Sequence, residues 1–406
     1  MKNQSIILEQ AQKYDSFYLY DESIILQYTN QLKECFPNVE FLYSLKTNPY
    51  PQVVKTVFSQ GFGADAASLE EVRISHRNGL PKDKIYYSAP GKSMDDITEA
   101  LEYSVIIADS LGEIYKIQDI AQKQDIIVPI GVRINPNFTF YAQEGIPAKF
   151  GIDEEIFFNQ MKELKSLPNI KIVGIHVHSQ SQELNADILK TYYTNMFQLA
   201  QTVQEKLEAP LEFINLGSGL GIPYAPEDAP LDVIQLGKFT ANLLQQYQSF
   251  FPKTRIFIET GRYAVGKSGI YVTKVMDKKI SRGVTYIILK NTLNGFIRPS
   301  LIPFVKGYSS QENPLSNEPL FTGKNAFELI PITNETKNET VILVGNLCTG
   351  SDIIAKDITL PTLHVGDVLA ITNAGSYAAV LSPMQFSSQI PPAQLFLTVS
   401  GSIISM

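Results

Sequence analysis

Eight short apolar runs, near residues 41–46, 63–67, 85–89, 105–109, 128–134, 172–178, 212–217 and 256–260, recur along the chain. Each of the first seven is followed by a stretch with helical periodicity, such as Leu69 to Arg77 or Asp187 to Leu207. Polar residues do not alternate within the runs, which is the pattern of parallel strands covered on both faces. The alternation predicts an α/β fold, a (β/α)8 barrel ending near Arg262. A doubly wound open sheet is the competing arrangement.

The texture changes after Gly269. Short β-branched runs at 271–275, 285–288, 340–344, 367–371 and 395–399 are split by turns, and helical periodicity is nearly absent. A β-rich second domain is expected there. An early strand at Phe17-Tyr18-Leu19-Tyr20 has no partner before the barrel and is expected to join it. The predicted division is a barrel over 30–265 and a β domain built from both chain ends, 1–29 and 266–406. The polar stretch from Lys306 to Lys324 reads as a long surface loop.

The 406 residues are 44% hydrophobic and 18% charged, enough for two domains with proper cores. A net charge of −7 argues against nucleic acid or an anionic membrane as partner. No apolar segment reaches bilayer-spanning length. Cys35 and Cys348 are the only cysteines, so a disulfide framework is excluded and a cytoplasmic setting is expected.

In a barrel of this kind the site forms at the C-terminal strand ends. Those positions hold Lys46, Asp65, Ser88, Asp109, Arg133, His178, Gly217-Ser218-Gly219 and Glu259-Thr260-Gly261-Arg262. Burial of Lys46 at a strand end would favour its neutral amine, a nucleophile toward carbonyls. The loops after strands seven and eight are where such barrels bind phosphate through backbone N–H groups, and Arg262 adds a planar donor. His176 and His178 share a strand face, but only four histidines and no supporting cluster make a metal site a poor reading. An imidazole stacked on a planar ring suits His178, with His176 as a core histidine. Glu259 closes an apolar run and calls for a cationic partner. A nucleophilic amine, a phosphate cradle, a stacking imidazole and a carboxylate for a pyridinium describe a pyridoxal 5′-phosphate site.

At this point the chain resembles the alanine racemase-like, fold-type III decarboxylases of basic amino acids, which include diaminopimelate and ornithine decarboxylases. The resemblance rests on Tyr43-Ser44-Leu45-Lys46-Thr47-Asn48, Gly174 to Gln182, the Gly217 loop and Glu259-Thr260-Gly261-Arg262. It continues through Ile297-Arg298-Pro299, Cys348-Thr349-Gly350-Ser351-Asp352 and Asn373-Ala374-Gly375-Ser376-Tyr377. It implies a lyase in which Lys46 carries the cofactor, His178 stacks on its ring and Glu259 keeps its nitrogen protonated. Gly217, Ser218, Gly219, Gly261, Arg262, Ser181 and Tyr377 would surround the phosphate, with Asp65 nearby. Arg133, Arg298, Thr349 and Asp352 would face the substrate, and Cys348 would return a proton to the α-carbon. Cys348 and Asp352 would enter from the second subunit of a homodimer with shared sites.

Departures from the family pattern concern the substrate's far end. Thr349 stands where diaminopimelate decarboxylases carry a glutamate, Ile302 where they carry a tyrosine, and Asn291 where an aspartate is typical. Contacts to a distal ammonium have become neutral, which disfavours free diaminopimelate, lysine or ornithine. Leu347-Cys348-Thr349 followed by Asp352 is similar to decarboxylases of siderophore and antibiotic pathways, some of which act on carrier-tethered amino acids. An amino-acid racemase is the enzyme alternative, and Glu259 in place of an arginine favours decarboxylation. A cofactor-carrying regulatory protein is the non-enzymatic one.

Overall fold

The computed structural model describes residues 3–302, 320, 322 and 325–405. The strand at Ser16–Asp21 (β1) precedes a barrel of eight parallel strands. These are β2 (Glu40–Ser44), β3 (Gly63–Ala66), β4 (Ile85–Tyr87), β5 (Val105–Ala108), β6 (Val128–Asn135), β8 (Ile170–His176), β9 (Phe213–Asn215) and β10 (Arg255–Thr260). A two-residue strand, β7 (Ile152–Asp153), adds to the end of β6. Pairing runs β2 to β6, then β8 to β10, and β10 returns to β2, so the sheet is closed. The open doubly wound alternative is thereby excluded.

The barrel interior is packed solid. Leu42, Tyr86, Ile107, Val173, Phe213 and Phe257 form a separate buried cluster inside it. A Cβ on Gly174 would meet Phe213 Cζ at 2.4 Å and one on Gly131 would meet it at 2.7 Å, so both glycines make room for that ring. Only the C-terminal mouth is left for polar groups. Short serine caps turn the chain from strand to helix there. Ser68 accepts from Glu71 N–H, Ser110 from Glu113 N–H, and Ser93 forms a reciprocal capping box with Asp96.

The second sheet contains β1, β11 (Gly269–Ser281), β12 (Val284–Leu289), β13 (Leu329–Ile332), β14 (Asn338–Gly345), β15 (Ile353–Pro361), β16 (Val368–Ile371), β17 (Ala393–Leu397) and β18 (Ile403–Ser405). The early strand lies at its centre, antiparallel to β11 and parallel to β17. Every residue of β1 is buried, which explains why an isolated apolar run at the N-terminus needs the chain's far end. Three strands went unpredicted. β13 is mostly half-buried, β15 pairs with β14 through two register shifts, and β18 has only three residues, two of them half-buried, so none carries a clean period-two signal. A helix at Gln4–Ala11 also escaped, because only Ile7, Gln10 and Ala11 of it are buried. The surface loop expected over Lys306–Lys324 falls outside the described residues apart from Leu320 and Thr322.

The two sheets meet at the barrel mouth. Asn48 Nδ2 donates to Gly375 O at 2.9 Å and Tyr377 N–H donates to Thr47 O at 2.9 Å. The turn after β16 is thereby pinned beside Lys46.

Candidate active site

Lys46 follows β2 in a single 3-10 turn, Leu45–Thr47, whose neighbours Leu45 and Thr47 are buried. Its own side chain is 42% exposed, and Nζ lies 3.4 Å from Asp65 Oδ2. Asp65 is held in turn by Ser44 Oγ at 2.8 Å and Ser88 Oγ at 2.6 Å. The expectation of a neutral, buried amine is corrected here. The Asp65 charge holds Lys46 protonated, with its pKa above the ordinary lysine value, and this outweighs the opposing effect of burial.

Opposite lies Glu259, buried at the end of β10. Its Oε1 accepts from Asn215 Nδ2 at 2.9 Å and lies 3.0 Å from His176 Nε2. Burial alone would raise this carboxyl, but His176, His178 and Lys46 hold it well below the usual range. Glu259 is therefore a carboxylate, and His176, expected as a core histidine, is one of the groups that keep it so.

His178 lies two residues beyond the end of β8 and receives Ser218 N–H on Nδ1 at 3.1 Å. That bond leaves Nε2 as the protonated ring nitrogen. Burial pushes the imidazole pKa down to about 3, with Arg133, Lys46 and His176 acting in the same direction. A neutral ring results, suited to lying against a planar ligand. Ser218 has no left-handed backbone to satisfy, and its N–H does the holding. Gly217 differs. It has φ +69°, and a Cβ there would meet Val177 O at 2.1 Å. Gly219, at φ +146°, would crowd Leu189 and Phe140. Gly261 lies against Thr47, where a Cβ would approach Cγ2 to 2.3 Å.

Arg262 opens the short helix after β10, and its Nη1 donates to Tyr224 Oη at 2.8 Å. Its guanidinium lies 4.9 Å from the Tyr377 ring centroid. Ser181 is half-buried in the loop after β8. Arg298 is 0% exposed, and its Nη1 reaches Tyr224 Oη at 3.3 Å and Ser376 O at 3.2 Å. Its Nε and Nη2 have no partner among the described residues. Arg133 lies over the Phe150 ring, 3.8 Å from Asp109, and donates to His178 O at 3.3 Å. It thus supports the histidine backbone.

Cys348 is exposed on the loop after β14, and the Thr349 hydroxyl lies 2.9 Å from Ser351 Oγ. Asp352 is spent on its own chain. Its carboxylate accepts from Thr292 Oγ1, from Leu293 N–H at 3.0 Å and from Leu347 N–H at 3.0 Å, which fixes the Cys348 loop. Asn291 is likewise engaged, by Ser16 Oγ, Ile390 O and Asn294.

The donor set fits pyridoxal phosphate. It offers a lysine open to the cleft, a carboxylate for a pyridine nitrogen, a neutral imidazole, a glycine cradle that admits no Cβ, and a buried arginine. A family model described as "Pyridoxal-dependent decarboxylase, pyridoxal binding domain" matches residues 22–266. The chain belongs to the pyridoxal-dependent decarboxylases. Pyridoxal phosphate is the cofactor of this enzyme.

The decarboxylase is 30% identical over 390 residues to an L-glutamyl-[BtrI acyl-carrier protein] decarboxylase of Niallia circulans, covering 93% of this chain and 88% of that one. It is 28% identical over 401 residues to a 2-[(L-alanin-3-ylcarbamoyl)methyl]-2-hydroxybutanedioate decarboxylase of Staphylococcus aureus, covering 94% of each. Among solved structures, diaminopimelate decarboxylase of Helicobacter pylori complexed with L-lysine is similar at TM-score 0.81 and 26% identity, over 96% of this chain and 93% of that one. No helix among the described residues is long and apolar enough to cross a membrane. Sequence reasoning left Asn215 and Tyr224 without a role. Asn215 sits one strand from Glu259 and Tyr224 in an irregular loop, and neither carries a local pattern that marks it.

Proposed function

We propose that this decarboxylase removes the α-carboxyl of an amino acid whose far end carries a carboxylate or acyl group, as part of a specialised biosynthetic pathway. The observation that carries this reading is Arg298, fully buried yet with two nitrogens unpartnered among the described residues. Buried guanidiniums call for an anion or a carbonyl. Around the far end, Thr349 and Ile302 supply no acid for a distal ammonium. The Niallia and Staphylococcus relatives, whose names place the amino acid on an acyl carrier protein or on a hydroxybutanedioate, support the same direction.

Bound pyridoxal phosphate supplies an electron-withdrawing ring that stabilises the charge left on the α-carbon when CO2 departs. Lys46 would hold the cofactor through its aldehyde, Arg262 and the glycine loop would hold its phosphate, and His178 would pack against its ring. Glu259 would keep a proton on the pyridine nitrogen, which would maintain the ring's pull. CO2 leaves its bonding electron pair on the α-carbon, and the Sγ–H of Cys348 delivers a proton there. Cys348 is exposed on its own chain and serves the site of a second copy in a homodimer.

Glu259→Gln is expected to retain the cofactor absorbance while turnover falls on the order of 100-fold, because the buried charge facing the pyridine nitrogen is gone. Parallel measurement of absorbance and CO2 release checks this. For the substrate, CO2 release is measured with free diaminopimelate, lysine, ornithine and glutamate, and with glutamyl thioesters on a carrier protein. Release from glutamate or the glutamyl thioesters, with diaminopimelate, lysine and ornithine at background, is the expected result. Preferred turnover of diaminopimelate would return the enzyme to the reading that its Helicobacter neighbour represents.

A further inference from the structure

Three segments far apart in the chain bring Tyr224, Arg262 and Arg298 together at the barrel mouth. The Tyr224 hydroxyl lies 2.8 Å from Arg262 Nη1 and 3.3 Å from Arg298 Nη1. The two guanidinium carbons lie 5.6 Å and 5.0 Å from the Tyr224 ring centroid. All three residues are buried. Among the described residues, neither arginine has an Asp or Glu at ion-pair distance. Two buried cations thus converge on one phenol oxygen. Such a pair is costly without an anion.

We propose that the Tyr224 hydroxyl is the resident counter-anion of the Arg262–Arg298 pair, aligning both for incoming anions and yielding by taking up a proton when one binds. The proposal rests on the assignment of Arg262 and Arg298 to anionic groups of cofactor and substrate. Tyr224 is a positioning residue here, since it acts through the arginines.

The surroundings support this. Burial raises the phenol, but Arg262 and Arg298 together bring it down to about 7. Lys267, in the turn after the Arg262 helix, adds a further cation near it, and burial lowers that lysine's own pKa. The groups that oppose ionisation are few. Asp228 Oδ2, in the same loop, accepts the Tyr224 backbone N–H at 2.9 Å, and Tyr377 turns its ring to the Arg262 guanidinium, 4.9 Å from the ring centroid. Asn373 meets Tyr224 only through its backbone carbonyl. An anion on either arginine removes the attraction that ionises the phenol, so binding and proton uptake are linked.

Sulfate is the probe, because it carries the same charge throughout the neutral and alkaline range. The chain has 20 tyrosines and no tryptophan, so the ultraviolet band of a single tyrosinate is not masked by indole. The cofactor-stripped full chain is titrated from pH 6 to 9, with and without sulfate. One tyrosine is expected to ionise near neutrality, and sulfate is expected to shift that step upward. Calorimetry of sulfate binding at pH 8 in two buffers of different ionisation enthalpy is expected to show uptake approaching one proton, with affinity falling toward tenfold per pH unit. Tyr224→Phe is expected to abolish both signals. A wild-type protein that shows no low-pH tyrosinate, or binds sulfate without proton uptake, overturns the proposal even if the variant fails to fold. Undiminished uptake in a folded variant overturns it too. Failure of the full chain to bind pyridoxal phosphate at all would instead overturn the cofactor-site assignment, and the two failures are read separately.

Discussion

Lys46→Ala protein is expected to purify without the yellow chromophore and to lose turnover on the order of 1,000-fold or more, because the lysine paired with Asp65 at the barrel mouth is gone. Borohydride reduction followed by peptide mass spectrometry checks the assignment directly. The wild type is expected to carry the reduced cofactor on the peptide containing Lys46, and the variant is expected to carry none. Chromophore retained by the variant would mean that another amine holds the cofactor. The Asp65 contact adds a pH dependence. It raises the Lys46 pKa, so the amine is protonated at neutral pH and the reactive neutral form grows as pH rises toward that value. Cofactor capture by the stripped enzyme is therefore expected to accelerate with alkalinity, by about tenfold per pH unit until other groups limit it. Asp65→Asn is expected to flatten that slope.

Mixing Lys46→Ala with Cys348→Ala subunits is expected to restore about a quarter of wild-type activity from two nearly inactive parents. Random pairing makes half the dimers mixed, and each mixed dimer has one intact site and one doubly altered site. Cys348 lies exposed on the loop after β14, while Asp352 locks that loop to Thr292, Leu293 and Leu347. A rigid loop presenting an exposed thiol suits delivery to a neighbouring copy. Activity measured against mixing time, with subunit exchange followed by native mass spectrometry, checks it. No recovery despite exchange would place both residues in one chain's site, or remove Cys348 from the chemistry.

Much of the architecture was legible because parallel strands buried on both faces leave uninterrupted apolar runs, and helices between them leave a different period. Those two periods located all eight barrel strands to within a few residues. β15 and β18 were illegible because an irregular register in one and a length of three residues in the other erase the period that reveals a strand. At the site, Lys46, His178, Glu259 and Arg262 were legible through position, since each closes or follows an apolar run at the end where such barrels do chemistry.

The amino-acid sequence by itself determined the alternation of strands and helices, the β-rich second segment and the chemical types at the strand ends, since these follow from local periodicity and from which residue ends each run; the pairing of β10 with β2 decided that the sheet closes into a barrel. Only the tertiary structure decided their charge states and partners. The β2–β3 register places Ser44 opposite Asp65, and that pairing reverses the protonation expected of Lys46. Asn215 reaches Glu259 across neighbouring strands, and Tyr224 reaches Arg298 across 74 positions of chain. Coulomb and hydrogen-bond terms depend on distances through space, which chain order leaves open until the barrel closes.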